Sequence, residues 1–270
     1  MRVRGKLAVV VAVVGLLTGC DDKGNPPGGG SPEEAQANKV LGRALDTQGR
    51  PLPNAQIYVG GVAVTTTPQR GTTNSEGRYT VGGLVDQVTY KAYGWLPVTY
   101  QGKDFCLRLA HDNSSEYEPF AGKDGAVRNF RWSLQGRIGD STADPDTDSA
   151  YFGGGARLFP EFADGDFTGT VELQLTPTGP LIDGSQGQPL TRSVDLSKPH
   201  FVVDIPVGPY KVTATRIKVG GDRSALRVGP SETELASEGT LEFQPETFPA
   251  CGSQVASSGV KRAFLYVAAP

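Results

Sequence analysis

Between Lys39 and Tyr93, glycine, proline and asparagine recur at short intervals, and in the stretches between them apolar residues tend to fall at every second position. The first stretch is Val40-Leu41-Gly42-Arg43-Ala44-Leu45-Asp46. Gly49-Arg50-Pro51-Leu52-Pro53-Asn54-Ala55 then turns the chain into Gln56-Ile57-Tyr58-Val59, and Thr73-Asn74-Ser75-Glu76-Gly77 turns it again before Arg78-Tyr79-Thr80-Val81. Glycine takes positive φ, proline fixes φ, and asparagine hydrogen-bonds its own backbone, so these residues punctuate strands. Tyr79 and Val81, then Val88, Tyr90 and Ala92, alternate as half-buried strands require. A helix would lose about 1 kcal/mol at each interior glycine and about 3 at each proline relative to alanine. The segment Gly169 to Thr215 repeats the same grammar more loosely, clearest from His200 to Ala214. The pattern predicts an all-β chain of two tandem β-sandwich domains.

The motif V-x-G-x-x-x-D-x-x-G-x-P-L-P-x-A (Val40, Gly42, Asp46, Gly49, Pro51, Leu52, Pro53, Ala55), followed by T-N-x-E-G-x-Y-x-V-x-x-L (Thr73 to Leu84), resembles the carboxypeptidase regulatory-like family. The departures are Asn54, where that family usually has glycine, and the loop Gly60 to Arg70. In the second half only Phe201 to Ala214 matches, and loosely. The resemblance implies a prealbumin-like or Ig-like sandwich of carbohydrate-binding-like type. It implies no peptidase activity, because such modules are accessories to a catalytic domain, and this chain has neither an H-E-x-x-H motif nor a zinc carboxypeptidase signature.

With 270 residues there is room for two ordinary domains, and 36 glycines and 20 prolines suit many short strands joined by turns. A net charge of −3 offers no electrostatic basis for nucleic-acid binding, which needs lysine and arginine against phosphate. Two histidines and one methionine leave little for metal chemistry, and no cofactor is expected.

The N-terminus carries a basic start (Arg2, Arg4, Lys6) and an apolar run, Leu7 to Leu17, too short to span a bilayer as a helix. It ends Leu17-Thr18-Gly19-Cys20, which resembles the lipobox of bacterial lipoproteins. That resemblance implies a signal peptide over residues 1–19, lipidation of Cys20, and a protein held to a membrane on the extracytoplasmic side of the cell envelope. Residues 20–38 have no apolar period and read as a flexible tether reaching on the order of 20 Å. The two sandwiches are expected over 39–137 and 138–270, with an acidic, then glycine-rich linker from Gly139 to Gly155.

Of three cysteines, lipid takes Cys20, leaving Cys106 and Cys251 as an even pair in an exported chain. A disulfide between them is predicted, with the second domain folded back beside the first; two separate buried thiols are the alternative. Asp144, Asp146 and Asp148 have the D-x-D-x-D opening of a calcium loop, but Ser149 stands where that loop needs glycine, and a solvated acidic linker is the competing reading. Tyr93, Trp95, Tyr100 and Tyr117 are the aromatics that sugar stacking would use, with Trp95 in a Gly/Pro turn as the best exposed candidate; inward packing is the alternative. Asp183-Gly184-Ser185-Gln186-Gly187 approaches the nucleophile elbow but lacks its first glycine, and a turn fits it better. No set of residues marks catalysis. The functional expectation is a lipid-anchored binding or scaffolding protein, with carbohydrate or an envelope protein as partner. A polysaccharide hydrolase using a carboxylate pair is the alternative. Radiolabelled palmitate should label the wild type and not Cys20→Ala; equal labelling of both would remove the lipobox reading.

Overall fold

Alternating runs become strands because one face of each is apolar enough to bury while the other stays wet. The structure, a computed structural model, describes residues 33–63, 67–247, 250–252 and 257–270. The signal peptide, Cys20 and most of the tether lie outside them. Among the described residues there is no α-helix, only two short 3-10 turns. The first half contains β1 (Lys39–Leu45), β2 (Gln56–Gly61), β3 (Gln69–Thr72), β4 (Arg78–Gly82) and β5 (Thr89–Tyr100). It continues with β6 (Lys103–Arg108), β7 (Ala110–His111), β8 (Phe120–Ala121), β9 (Ala126–Val127) and β10 (Phe130–Arg131).

These strands make two sheets. One runs β4-β1-β10-β7 with β9 also on β1, and the other runs β3-β2-β5-β6 with β8 on β5. Between them lie Ile57, Val59, Tyr79, Val81, Tyr90 and Phe130. In β4, Tyr79 and Val81 point in while Arg78 and Thr80 point out, as the alternation predicts.

The glycine of the opening motif has a specific reason. β9 and β10 both run parallel to β1, pairing with Val40–Leu41 and with Ala44–Leu45 respectively. Between them the Arg128 carbonyl presses toward Gly42, where a β carbon would lie 2.1 Å from that oxygen, and φ is +154°. Only glycine fits there. The turn before β4 is built as its sequence suggests: Asn74 Oδ1 accepts from the backbone N–H groups of Glu76 and Arg78.

The second half contains β11 (Gly154–Glu161), β12 (Thr170–Pro177), β13 (Leu190–Asp195), β14 (Phe201–Ile205) and β15 (Tyr210–Ile217). After these come β16 (Arg223–Gly229), β17 (Gly239–Leu241), β18 (Gln244–Pro245), β19 (Val260–Lys261) and β20 (Ala263–Ala268). Their order is β13-β12-β15-β16-β20-β11-β14, with β17 on β15. β16 joins the two layers: its first half pairs with β15 and its second half with β20. The layers enclose Leu158, Leu173, Leu175, Ile205, Val212 and Leu265. As β9 and β10 lie parallel to β1, so β20 lies parallel to β11.

The two cores are not separate. Phe105 and Leu107 of β6 are buried in the second core, and Val98, Tyr100, Trp132 and Leu134 pack against it. Thr47 donates to Asp183 at 2.6 Å, and Tyr100 donates to the Pro180 carbonyl at 2.6 Å. The predicted disulfide forms: Cys106 and Cys251 are joined with Cα atoms 5.4 Å apart. It spans 145 residues, for which chain-entropy models give an upper figure of ~4–5 kcal/mol.

The segment read as an acidic linker is a closed loop instead. Arg137 bridges to Tyr151, the Ile138 N–H donates to the Ala150 carbonyl, and the Phe152 N–H donates to the Gly136 carbonyl. Ile138 and Phe152 pack with Ala110 of the first module. Its polar composition made it look like a tether, but a few apolar anchors are enough to fasten it.

Asp204, a non-glycine residue at φ +58°, joins this loop to β14, accepting from the Gly136 N–H at 2.8 Å. Burial pushes its carboxyl above the usual range despite N–H donors from Gly136 and Gly153 and the nearby Arg192. The folded state therefore holds this proton more tightly than the unfolded chain. The resulting stability is complete below the unfolded value and is lost as pH rises through the raised folded one. Wild type should accordingly gain stability relative to Asp204→Asn as pH falls from neutral toward 4; urea titrations across that range check it, and a pH-independent difference would refute it.

Candidate functional site

The period-two geometry of β5 sends Tyr90, Ala92 and Leu96 into the first core and leaves Lys91, Tyr93 and Trp95 on the opposite face. Tyr58 of β2 stands beside Tyr93, and Cys106 and Arg108 of β6 stand beside Pro97 and Trp95. This outer face therefore carries aromatic rings, a cysteine sulfur and a guanidinium side by side.

Two later segments cover it. Over Tyr58 and Trp95 lies the C-terminal segment: Cys251 is bonded to Cys106, and its carbonyl accepts from the Tyr58 hydroxyl. Gly252 sits so close, at φ +80°, that a β carbon would be 2.5 Å from the Tyr58 ring and 2.8 Å from Trp95. Over the other half, the loop after Ile138 brings Asp140 to Arg108 at 2.9 Å. Between loop and sheet a cleft of about 330 Å³ remains, lined chiefly by Lys91, Tyr93, Arg108, Asp140, Ser141 and Thr142.

Arg108 is the floor of this cleft. Its side chain is 2 % exposed and that of Asp140 is 14 % exposed. A charge so buried is tolerable only when paired. The guanidinium also lies over the rings of Tyr93 at 4.8 Å and Trp95 at 5.7 Å. Burial raises the Tyr93 hydroxyl above its ordinary range, the Asp140 charge raises it further, and Arg108 opposes both.

Of the four aromatics singled out in the sequence, only Tyr93 lines the cleft. Trp95 is fully buried, inside β5 and not in a turn, because a segment more than 150 positions later covers it. Tyr100 packs edge-on against Phe105 at the junction of the modules. Tyr117 ends a 3-10 turn, Ser114–Tyr117, packs edge-on against His111 at 4.6 Å, and accepts from its backbone N–H. The four do not form one sugar-stacking surface.

Asp144 Oδ1 accepts from the backbone N–H of Asp146, closing a local turn. The side chain of Asp148 lies outside what the structure describes. Asp164 and Asp166 both face Arg216, at 3.0 and 2.9 Å, as Asp140 faces Arg108. Among the described residues no group of three His, Cys, Asp or Glu side chains could hold a metal ion. Asp183 accepts from the Ser185 hydroxyl at 2.6 Å, so the near-elbow is a turn.

The sequence reading missed Lys91, Arg108, Ser141 and Thr142. Arg108 carried a usable signal: a cation inside the apolar run Phe105 to Leu109 must find a counter-charge once that run is buried.

Neither a protein-family model nor a curated protein matches the chain. Similarity to solved structures is slight. The Bacillus anthracis TIE protein is 11 % identical with a TM-score of 0.27, the alignment covering 85 % of this chain and 43 % of that one. A shaft pilin SpaA of Lactobacillus rhamnosus GG is 11 % identical with a TM-score of 0.23, covering 87 % and 99 %. A streptococcal ancillary pilin is 10 % identical with a TM-score of 0.27, covering 86 % and 69 %. The chain spans less than half the length of the first of these, and no functional reading rests on likenesses at this level.

Replacing Asp140 with asparagine should cost up to ~3 kcal/mol in urea denaturation, because it removes the carboxylate 2.9 Å from the buried Arg108 guanidinium. It should also lower the titration of Tyr93, read as the ultraviolet difference against a Tyr93→Phe background. An unchanged Tyr93 titration would show that Asp140 does not act on this ring.

Proposed function

We propose that this chain is a non-catalytic, lipid-anchored cell-envelope protein of carboxypeptidase regulatory-like type, whose paired sandwiches serve as one rigid binding and scaffolding body. The observation that carries this reading is the joining of the two modules by a common core and by the Cys106–Cys251 bond. A tandem built for independent movement has no need of either. The N-terminal lipobox and tether would hold such a body to a membrane surface.

The hydrolase alternative needs two carboxylates about 5–10 Å apart, free to act as acid and as base or nucleophile. The cleft beside Tyr93 has one, Asp140, paired with Arg108. A second cleft of about 370 Å³, beside Trp132, also has one, Asp46. Burial raises the Asp46 carboxyl, but bonds from the backbone and side chain of Arg50 outweigh this and hold it below the usual range. Among the described lining residues, neither cleft presents a pair of carboxylates.

Full-length protein in detergent micelles, applied to a glycan array, should be retained and should release no new reducing ends. Release of reducing ends that disappears in Asp140→Asn would establish the hydrolase instead.

A further inference from the structure

We propose that the cleft beside Tyr93 is a binding site for an acidic sugar residue, with the Lys91 ammonium as partner of the sugar carboxylate. This rests on the reading of the chain as a binding module and names the ligand class that its cleft would take.

The inference starts from the charges. Among the described lining residues there are two cations, Lys91 and Arg108, and one anion, Asp140. Arg108 and Asp140 neutralise each other at 2.9 Å. Lys91 is half-buried on the wall of the cleft, and among the described residues no carboxylate comes within 4.0 Å of it. Among the described side chains of the lining, Lys91 is therefore the cation left facing the cleft without a carboxylate beside it. An ammonium partly withdrawn from water attracts an anion more strongly than one on an open surface.

The remaining lining is rich in hydroxyls. Ser141 Oγ accepts from the Ala143 N–H at 3.2 Å, which leaves its own O–H to donate outward. Thr142 and Ser149 are exposed on the same wall. Tyr93 adds a phenol, protonated at neutral pH and able to donate. Arg108 lies over one face of its ring at 4.8 Å. Hydroxyl groups that both donate and accept, set around a single cation, match a polyhydroxylated ring bearing one carboxylate. The volume of about 330 Å³ is at the small end of the roughly 300–1,000 Å³ typical of ligand pockets. It suits one or two sugar units and not a long chain lying in a groove.

The test is calorimetric titration of the full-length protein in detergent micelles with trigalacturonate, with maltotriose and with inorganic phosphate. Wild type should bind trigalacturonate at least tenfold more tightly than maltotriose or phosphate. Lys91→Met should weaken trigalacturonate at least tenfold and leave maltotriose unchanged, with an unaltered melting temperature showing that the fold persists. Thr142→Val should weaken trigalacturonate through loss of the hydroxyl while leaving the charge in place. Equal trigalacturonate binding by wild type and Lys91→Met overturns the proposal. So does phosphate binding as tight as trigalacturonate, which would make this a simple anion site. Preference for maltotriose overturns the acidic class while leaving the binding-module reading intact, whereas retention of no glycan at all on the array removes both.

Discussion

Everything distinctive about this molecule depends on strand β6, which works for both modules at once. Its successive residues face opposite ways, as in any strand. Phe105 and Leu107 enter the second core, while Cys106 and Arg108 stand on the outer face of the first module. Burying side chains of the Phe and Leu class stabilises by about 1.5–3 kcal/mol each, so the inner pair alone makes the junction substantial. On the outer face Cys106 ties down the C-terminal segment, and the Arg108 backbone N–H donates to the Ser258 carbonyl at 3.0 Å. β6 is the last strand of the order β3-β2-β5-β6, and an uncovered edge strand invites pairing with other chains. Here β18 and β19 pair with each other in the C-terminal segment that closes over it.

The buried ion pair follows from the same arrangement. With the second module absent, Arg108 would project from a solvated sheet and need no partner. Covering the face removes water from the guanidinium, and the loop that does the covering also supplies Asp140. Such a pair is weak evidence for stability, since its attraction is offset by the cost of desolvating both ions. Its value is positional: Asp140 fixes where the loop lies over the sheet, and so fixes the height of the cleft beneath it.

The legible parts of the fold were those written locally. Alternation in Arg78 to Val81 and the Asn74–Gly77 turn appear as read, because both depend on residues within a few positions of one another. The Cys106–Cys251 bond was also legible, although it spans 145 residues, because it follows from thiol chemistry and an even count. Trp95 was misjudged for the opposite reason. Its burial depends on Gly252, and nothing near Gly94 or Pro97 foretells that contact. The segment after Ile138 was misjudged because acidic composition reports solvent exposure, not freedom to move. Its side chains are indeed mostly exposed, yet its backbone is closed by hydrogen bonds at both ends.

The location of the cleft has a physical reason of its own. A closed sandwich presents flat or convex sheets, and a concave site needs a second element laid over one of them. In the first module that element is the loop between β10 and β11, held down by Ile138 and Phe152 against Ala110. The loop must be apolar at its ends to stay in place and polar in the middle to keep the space beneath it wet. Ile138 and Ala150 are buried, while Thr142 and Asp144 are exposed between them, which is that distribution. The same residues that made this stretch look like a linker are therefore what allow it to roof a polar cleft without collapsing into it.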